Sequence, residues 1–267
     1  LNSPQPLEQS SDEIWRRVCG VFTDIDDTLT TGGRITADVF DAMERLRDAG
    51  LLVIPITGRP AGWCDMIARQ WPVDAVVGEN GAFYYRYETG EPRMIRAYAD
   101  APEVRARNRA RLEAVRDEVL TRVPGTAVSA DQAFRSADLA IDFCEDVPAL
   151  ADEAIARIVD IFEKHGATAK VSSIHVNGWF GDYDKLTMTK LLMAEQFDTD
   201  IASEQHAFTF AGDSPNDATM FRFFENAVGV ANLKERLHQC DAWPAWLTGA
   251  ARGAGFVELA ERILTVR

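Results

Sequence analysis

Three carboxylates stand within four residues at Asp24-Ile25-Asp26-Asp27, followed by Thr28, at the end of a short apolar run over 18–25. Like charges this close repel, and their tolerance at the end of a buried strand points to a bound cation. An acidic loop on an acidic protein is the plainer explanation of the same residues. A second group, Ala211-Gly212-Asp213-Ser214-Pro215-Asn216-Asp217, follows another apolar run. Its two carboxylates sit beside a glycine that lets backbone approach a ligand. Asp217 alone could simply favour the first turn of a helix. A third group, Pro55-Ile56-Thr57-Gly58-Arg59-Pro60, brings a hydroxyl, a backbone amide and a guanidinium to a helix start, which suits an anion. Thr57 could equally cap that helix. Lys185, beside Asp184 where the rhythm of the chain changes, is the candidate cation, with Lys190 as its competitor. Within 172–179, Ser173, His175 and Asn177 alternate with other residues and would share one face of a strand. Polar groups near Trp179 suit a sugar, although an ordinary half-buried strand has the same pattern. His175 has no metal-ligand spacing to His165, His206 or His238.

These groups need elements to hold them. Apolar runs at 18–25, 51–56, 75–77, 207–211 and 227–230 read as short strands. Between them, helical stripes cover 36–49 and 60–70, and further helices are expected over 185–197, from Pro215, and over 252–265. This alternation predicts a doubly wound, Rossmann-like parallel sheet of the α/β class. From about Asn80 the rhythm differs. Strands at 83–87 and 93–98 flank a turn, then helix-strand-strand occurs twice, with helices over 103–123 and 148–165. The predicted organisation is a flexible tail at 1–17, a core of 18–81 and 185–267, and an inserted α+β cap at 82–184 with an antiparallel sheet. A cleft is expected under the cap, at the carboxyl ends of the core strands.

Composition narrows the partners. Of 267 residues 46% are hydrophobic, enough for a sizeable core. Asp plus Glu total 42 against 28 Lys plus Arg, a net charge of −14, so neither nucleic acid nor an anionic membrane is an expected partner. A phosphate ester would need a bound cation or a local cluster of donors. The four cysteines form no CxxC pair, which reads as a reduced, cytoplasmic protein. The polar start shows no basic-then-apolar leader pattern. A homodimer formed through the insert is compatible with the sequence. No GxxxxGK or HExxH motif is present, which argues against a P-loop enzyme and a zinc hydrolase.

In order along the chain, Asp24-x-Asp26-x-Thr28, Thr57-Gly58-Arg59, Lys185 and Gly212-Asp213-Ser214-Pro215-Asn216-Asp217 resemble the haloacid dehalogenase superfamily of phosphohydrolases. The resemblance covers most of the chain from Val18 onward. The position of the insert, and Gly78-Glu79-Asn80-Gly81-Ala82 at its entry, are similar to the Cof-like subfamily, subclass IIB. That group includes sucrose-phosphate, trehalose-phosphate and mannosyl-3-phosphoglycerate phosphatases. The resemblance implies an Mg²⁺-dependent phosphatase that acts through an aspartyl-phosphate on a small phosphorylated metabolite, a sugar phosphate or a glycosyl phosphoglycerate. It implies Asp24 as nucleophile, Asp26 as general acid and base, Thr57 as a phosphoryl donor and Lys185 as the paired cation. It further implies a metal group of Asp24, Asp26 through its carbonyl, Asp213 and Asp217. Gly58, Arg59, Asn80, Gly81, Asn216 and His175 would contact substrate. Asp27 departs from the pattern, where Gly is common, and its charge bears on metal affinity. A phosphosugar mutase of the same superfamily and a non-catalytic phosphate-binding regulator are the alternatives.

Overall fold

The apolar run after Cys19 forms the strand Gly20–Thr23, buried along its whole length. The computed structural model describes residues 3–267. Val21 faces one hydrophobic cluster and Phe22 another, the period of two that a strand imposes. This strand pairs in parallel with Phe208–Gly212 on one side and Leu52–Pro55 on the other. Val228–Gly229, Trp246–Leu247 and Gln5–Pro6 continue the sheet beyond Phe208–Gly212 to six strands, every pairing parallel. The helices Ala37–Asp48 and Arg252–Leu264 cover one face through Val39, Met43, Leu46, Phe256 and Leu259. Lys185–Phe197 and Ala218–Phe223 cover the other through Met188, Leu192, Met220 and Phe221. Cover on both faces is why the central strands are apolar without alternation.

The chain passes from Gly20–Thr23 to Leu52–Pro55 and returns later to Phe208–Gly212 on the opposite side. The direction of winding reverses there, which opens a crevice at the carboxyl ends of the two neighbouring strands. Asp24 and Asp213 are the first residues beyond those ends.

The inserted sheet has four antiparallel strands in the spatial order Thr168–Val171, His175–Trp179, Leu139–Asp142, Ala127–Val128. The helices Pro102–Arg122 and Asp152–Lys164 pack on it through Leu112, Val115, Val119, Ile158, Ile161 and Phe162. The hairpin Phe83–Glu88 and Arg93–Tyr98 does not join that sheet. It pairs antiparallel with Val76–Gly78, which itself bridges to the core strand at Ile56 and Val77. Phe83, Tyr85 and Tyr98 meet in tilted and edge-on contacts and pack into the core cluster, so aromatic burial draws this hairpin to the core side.

The flexible tail expected at 1–17 is corrected over its described part. Gln5–Pro6 is an edge strand and Asp12–Arg17 a helix. Leu7 and Trp15 are fully buried, and Trp15 Nε1 donates to Ser10 Oγ at 2.7 Å. One indole with its hydrogen bond met outweighs the polar look of the segment. Residues 1–2 lie outside the described residues. Among the described residues, no helix is long and apolar enough to cross a membrane.

Candidate active site

Asp24 leaves the end of the central strand with its amide donating to the Ala211 carbonyl at 2.8 Å, which locks it beside the neighbouring strand. Asp213 follows that neighbour, and the turn Pro215–Asp217 folds Asp217 back underneath. The Asp217 carboxylate accepts from the amides of Asp213 and Ser214 at 3.2 and 3.3 Å. A side chain on Gly212 would meet that carboxylate at 2.5 Å, so only glycine lets the turn close. Carboxylate oxygens of Asp24, Asp213 and Asp217 all lie within 4.8 Å of one another, and all three residues are buried.

Lys185 opens the helix Lys185–Phe197, whose start is fixed by a reciprocal capping box between Asp184 and Thr187. Its ammonium donates to Asp24 Oδ1 at 2.8 Å and to Asp217 Oδ1 at 2.7 Å. Gly81, at φ +108°, lies against the Asp184 carbonyl, and a Cβ there would come within 2.0 Å of it. Gly81 thus lets the helix start approach the sheet. Lys190 stands apart, over the ring of Phe223.

Burial is the largest influence on Asp24 and pushes its carboxyl up to about 7, against the pull of Lys185. Burial and then the nearby Asp24 and Asp217 raise Asp213 well above the ordinary range. Burial alone would depress the Lys185 ammonium, but Asp217 and Asp24 together raise it. One ammonium does not balance three buried carboxylates. The donors are hard oxygens at a spacing that fits a small divalent cation such as Mg²⁺. Asp24 and Asp213 have oxygens to offer it, whereas Asp217 is already engaged by Lys185 and two amides.

Two residues that motif reading missed complete this side. Asn232 Nδ2 donates to Asp213 Oδ2 at 3.2 Å and to the Asp27 carbonyl at 3.1 Å. Arg252 Nε donates to Asp27 Oδ1 at 3.0 Å, so the extra charge of Asp27 has its own counter-ion. Asn232 follows the short strand Val228–Gly229, and a polar residue just after a strand end is the signal that could have found it.

Above the strand ends lies the seam with the insert. The Thr57 hydroxyl accepts from the Arg59 amide at 3.0 Å and is fully buried; the helix Ala61–Gln70 begins later, after Pro60. The Arg59 guanidinium grips both oxygens of Asp26 at 2.8 to 3.1 Å and reaches Glu145 of the insert at 3.1 Å. Burial opposes its charge, but Asp26 and Glu145 outweigh that and hold it up. Asn80, in the left-handed region at φ 55°, is buried beneath the Thr57-Gly58 backbone, and its Nδ2 has no partner among the described residues. Asn216 accepts from Ser214 Oγ at 2.5 Å. Ser173, His175 and Asn177 line the same cleft as Asp24, Asp26, Gly58, Arg59 and Asn216. The space left there is about 10 Å³, room for no more than one water.

Behind the cleft, Arg135 donates to Asp131, to Asp138 and to the Gly58 carbonyl. Glu79 accepts from the amides of Ala61, Ser136, Ala137 and Asp138. These bonds fasten the insert's loop to the core.

Residues 21–100 match the family model described as haloacid dehalogenase-like hydrolase. No curated protein matches the chain. Among solved structures, the chain is similar to Thermoplasma acidophilum 0175, with TM-score 0.70 at 15% identity, covering 94% of this chain and 99% of that one. It is similar to a HAD/COF-like hydrolase from Plasmodium vivax, with TM-score 0.67 at 15% identity and coverage of 96% and 99%. It is also similar to the sucrose-phosphatase of Synechocystis sp. PCC6803, solved with sucrose and phosphate, with TM-score 0.63 at 14% identity and coverage of 91% and 97%. At such identities the structures speak for the fold, while the family model speaks for the segment that carries Asp24, Asp26, Thr57 and Arg59. Residues 21–100 thus carry the match to the haloacid dehalogenase-like hydrolases, and over the rest of the chain the likeness is one of fold.

Proposed function

We propose that the protein is an Mg²⁺-dependent phosphomonoesterase acting through an aspartyl-phosphate on a small phosphorylated metabolite, a sugar phosphate or a glycosyl phosphoglycerate. The observation that carries this reading is the placement of Asp24. It is buried at a strand end, held by Lys185, and surrounded by more carboxylate than one ammonium balances. Mg²⁺ held by Asp24, the Asp26 carbonyl and Asp213 would neutralise charge on the transferring phosphoryl group. Lys185 keeps Asp24 aimed, and Asn232 keeps Asp213 aimed.

In the proposed reaction Asp24 Oδ attacks phosphorus, and the phosphorus–oxygen bond to the alcohol breaks. Asp26 gives its proton to the leaving oxygen. It then takes one from the water that opens the aspartyl-phosphate and releases inorganic phosphate. Both oxygens of Asp26 are gripped by Arg59 in the closed cleft, so the two must part as substrate enters. The four cysteines are free thiols, which supports a reducing, cytoplasmic setting.

The test is phosphate release from a broad panel of phosphate esters with Mg²⁺ or EDTA, comparing the native chain with Asp24→Asn. Mg²⁺-dependent release that disappears in Asp24→Asn is the expected result. No release from any ester by a folded, Mg²⁺-binding protein would sink the reading in favour of a phosphosugar mutase or a phosphate-binding regulator.

A further inference from the structure

We infer that Glu145 makes the leaving-group side of this site select esters of uncharged, hydroxyl-bearing alcohols over esters whose leaving group carries a carboxylate. The inference rests on the phosphomonoesterase reading and narrows its substrate class.

A leaving group sits across the cleft from Asp24, against the wall formed by Asp26, Arg59, Arg135, His175 and Asn177. An acidic leaving group would need a cation there in excess of the carboxylates, and the wall has more carboxylates than guanidiniums. Arg59 binds Asp26 and Glu145 through Nε and Nη2, and its Nη1 stands 3.7 Å from Asp131. Arg135, with a side chain only 1% exposed, donates to Asp131, Asp138 and the Gly58 carbonyl. His175 Nε2 lies 2.9 Å from Glu145 Oε2, without the alignment of a hydrogen bond. Two guanidiniums therefore face the carboxylates of Asp26, Asp131, Asp138 and Glu145.

Those four carboxylates are not equally reachable. Asp131 and Asp138 are sealed by Arg135, Ser129 and Asn177. Glu145 and Asp26 keep 30% and 20% of their side chains exposed. Asp26 belongs to the chemistry, so the partly exposed anion left beside the cleft is Glu145, set against its lining residues Arg59 and His175. His175 and then Arg59 hold its carboxyl down at about 2 once burial is set against them, so it is charged at any working pH. A sugar or polyol hydroxyl can donate to it, whereas a carboxylate meets like charge in a closed, poorly screened space.

The test compares matched pairs of esters with Mg²⁺: glycerol 1-phosphate against 3-phosphoglycerate, and glucose 6-phosphate against 6-phosphogluconate. The native chain is expected to favour the uncharged member by about tenfold or more in kcat/KM. Glu145→Gln, with Glu145→Ala as a second variant, is expected to cut that ratio by about threefold or more, chiefly through a lower KM for the acidic ester. Equal or reversed preference in the native chain overturns the inference. So does a ratio unchanged in both variants when circular dichroism shows them folded. Release from no ester at all sinks the phosphatase reading and this inference together, whereas a reversed preference leaves that reading standing.

Discussion

Around Asp24 three buried carboxylates share the single ammonium of Lys185, and around Arg135 three more, Asp131, Asp138 and Glu79, share one guanidinium, but there amides, a hydroxyl and a carboxamide supply the remaining donors. Asp131, Asp138 and the Gly58 carbonyl absorb the donors of Arg135, and Glu79 takes four backbone amides beside it. Both clusters are equally buried, so burial alone does not tell a site from a strut. The balance does. A closed network of charges fixes how the insert sits on the core, and an open one is built to receive something.

Asp24→Asn tests the open side most severely. Phosphate release is expected to fall by about 10⁴-fold, as for other residues central to a catalytic unit. Thermal melting in EDTA should show no loss of stability, because the substitution removes charge from a cluster that has too much. A matching loss of stability would mean that the cluster is balanced after all.

Lys185→Met removes the lone counter-ion and leaves Asp24 and Asp217 facing each other. Urea unfolding at pH 8 in EDTA should show a loss of about 3–5 kcal/mol, the cost of stranding buried charge. Added Mg²⁺ should return part of it, and no return would put the cation elsewhere.

At the seam between the two clusters, Glu145→Gln should cost about 1–2 kcal/mol at pH 7, since the group is partly exposed. Glu145 is held near 2 in the fold, below its ordinary 4.5. Its contribution is therefore whole above pH 4.5 and is lost as the pH falls through about 2. Urea unfolding of native and variant should converge over that window. A gap independent of pH would mean that its packing matters and its charge does not.

The mildest change is Arg252→Gln, which leaves Asp27 without its counter-ion near Asp213. Calorimetric Mg²⁺ affinity should tighten by about two- to threefold, a small effect because Arg252 is half exposed to solvent. Weaker binding would show that Arg252 acts by shaping the Asp27 loop.

The open cluster was legible in the sequence because its members come in contiguous groups after apolar runs. A strand end turns sequence neighbours into neighbours in space. The closed network was not legible. Arg59 and Glu145 meet across 86 residues, and Glu79 reaches the 136–138 loop with no pattern to announce it. Glu79 stood inside a motif, but nothing in the motif named its partners. The edge strands Gln5–Pro6 and Trp246–Leu247 escaped for another reason: two-residue strands carry no periodicity, and only their pairing defines them. The hairpin at 83–98 was visible as strands, but its allegiance to the core was decided by three aromatic rings whose packing partners lie elsewhere in the chain.

The cleft of about 10 Å³ has a consequence for timing. An ester needs a wider cleft than this, and the insert joins the core through two stretches of chain, near Asp100 and near Phe180. Asn108 ties them, donating to the Phe180 carbonyl at 3.0 Å and to Asp100 at 3.5 Å. Widening the cleft breaks the Arg59–Glu145 bond, while the bonds of Glu79 and Arg135 across the same seam resist a larger movement. Rigid-body motions of this kind take microseconds to milliseconds. If the proposed turnover waits on this widening, a viscous solvent should slow it even where the bond-breaking step is fast.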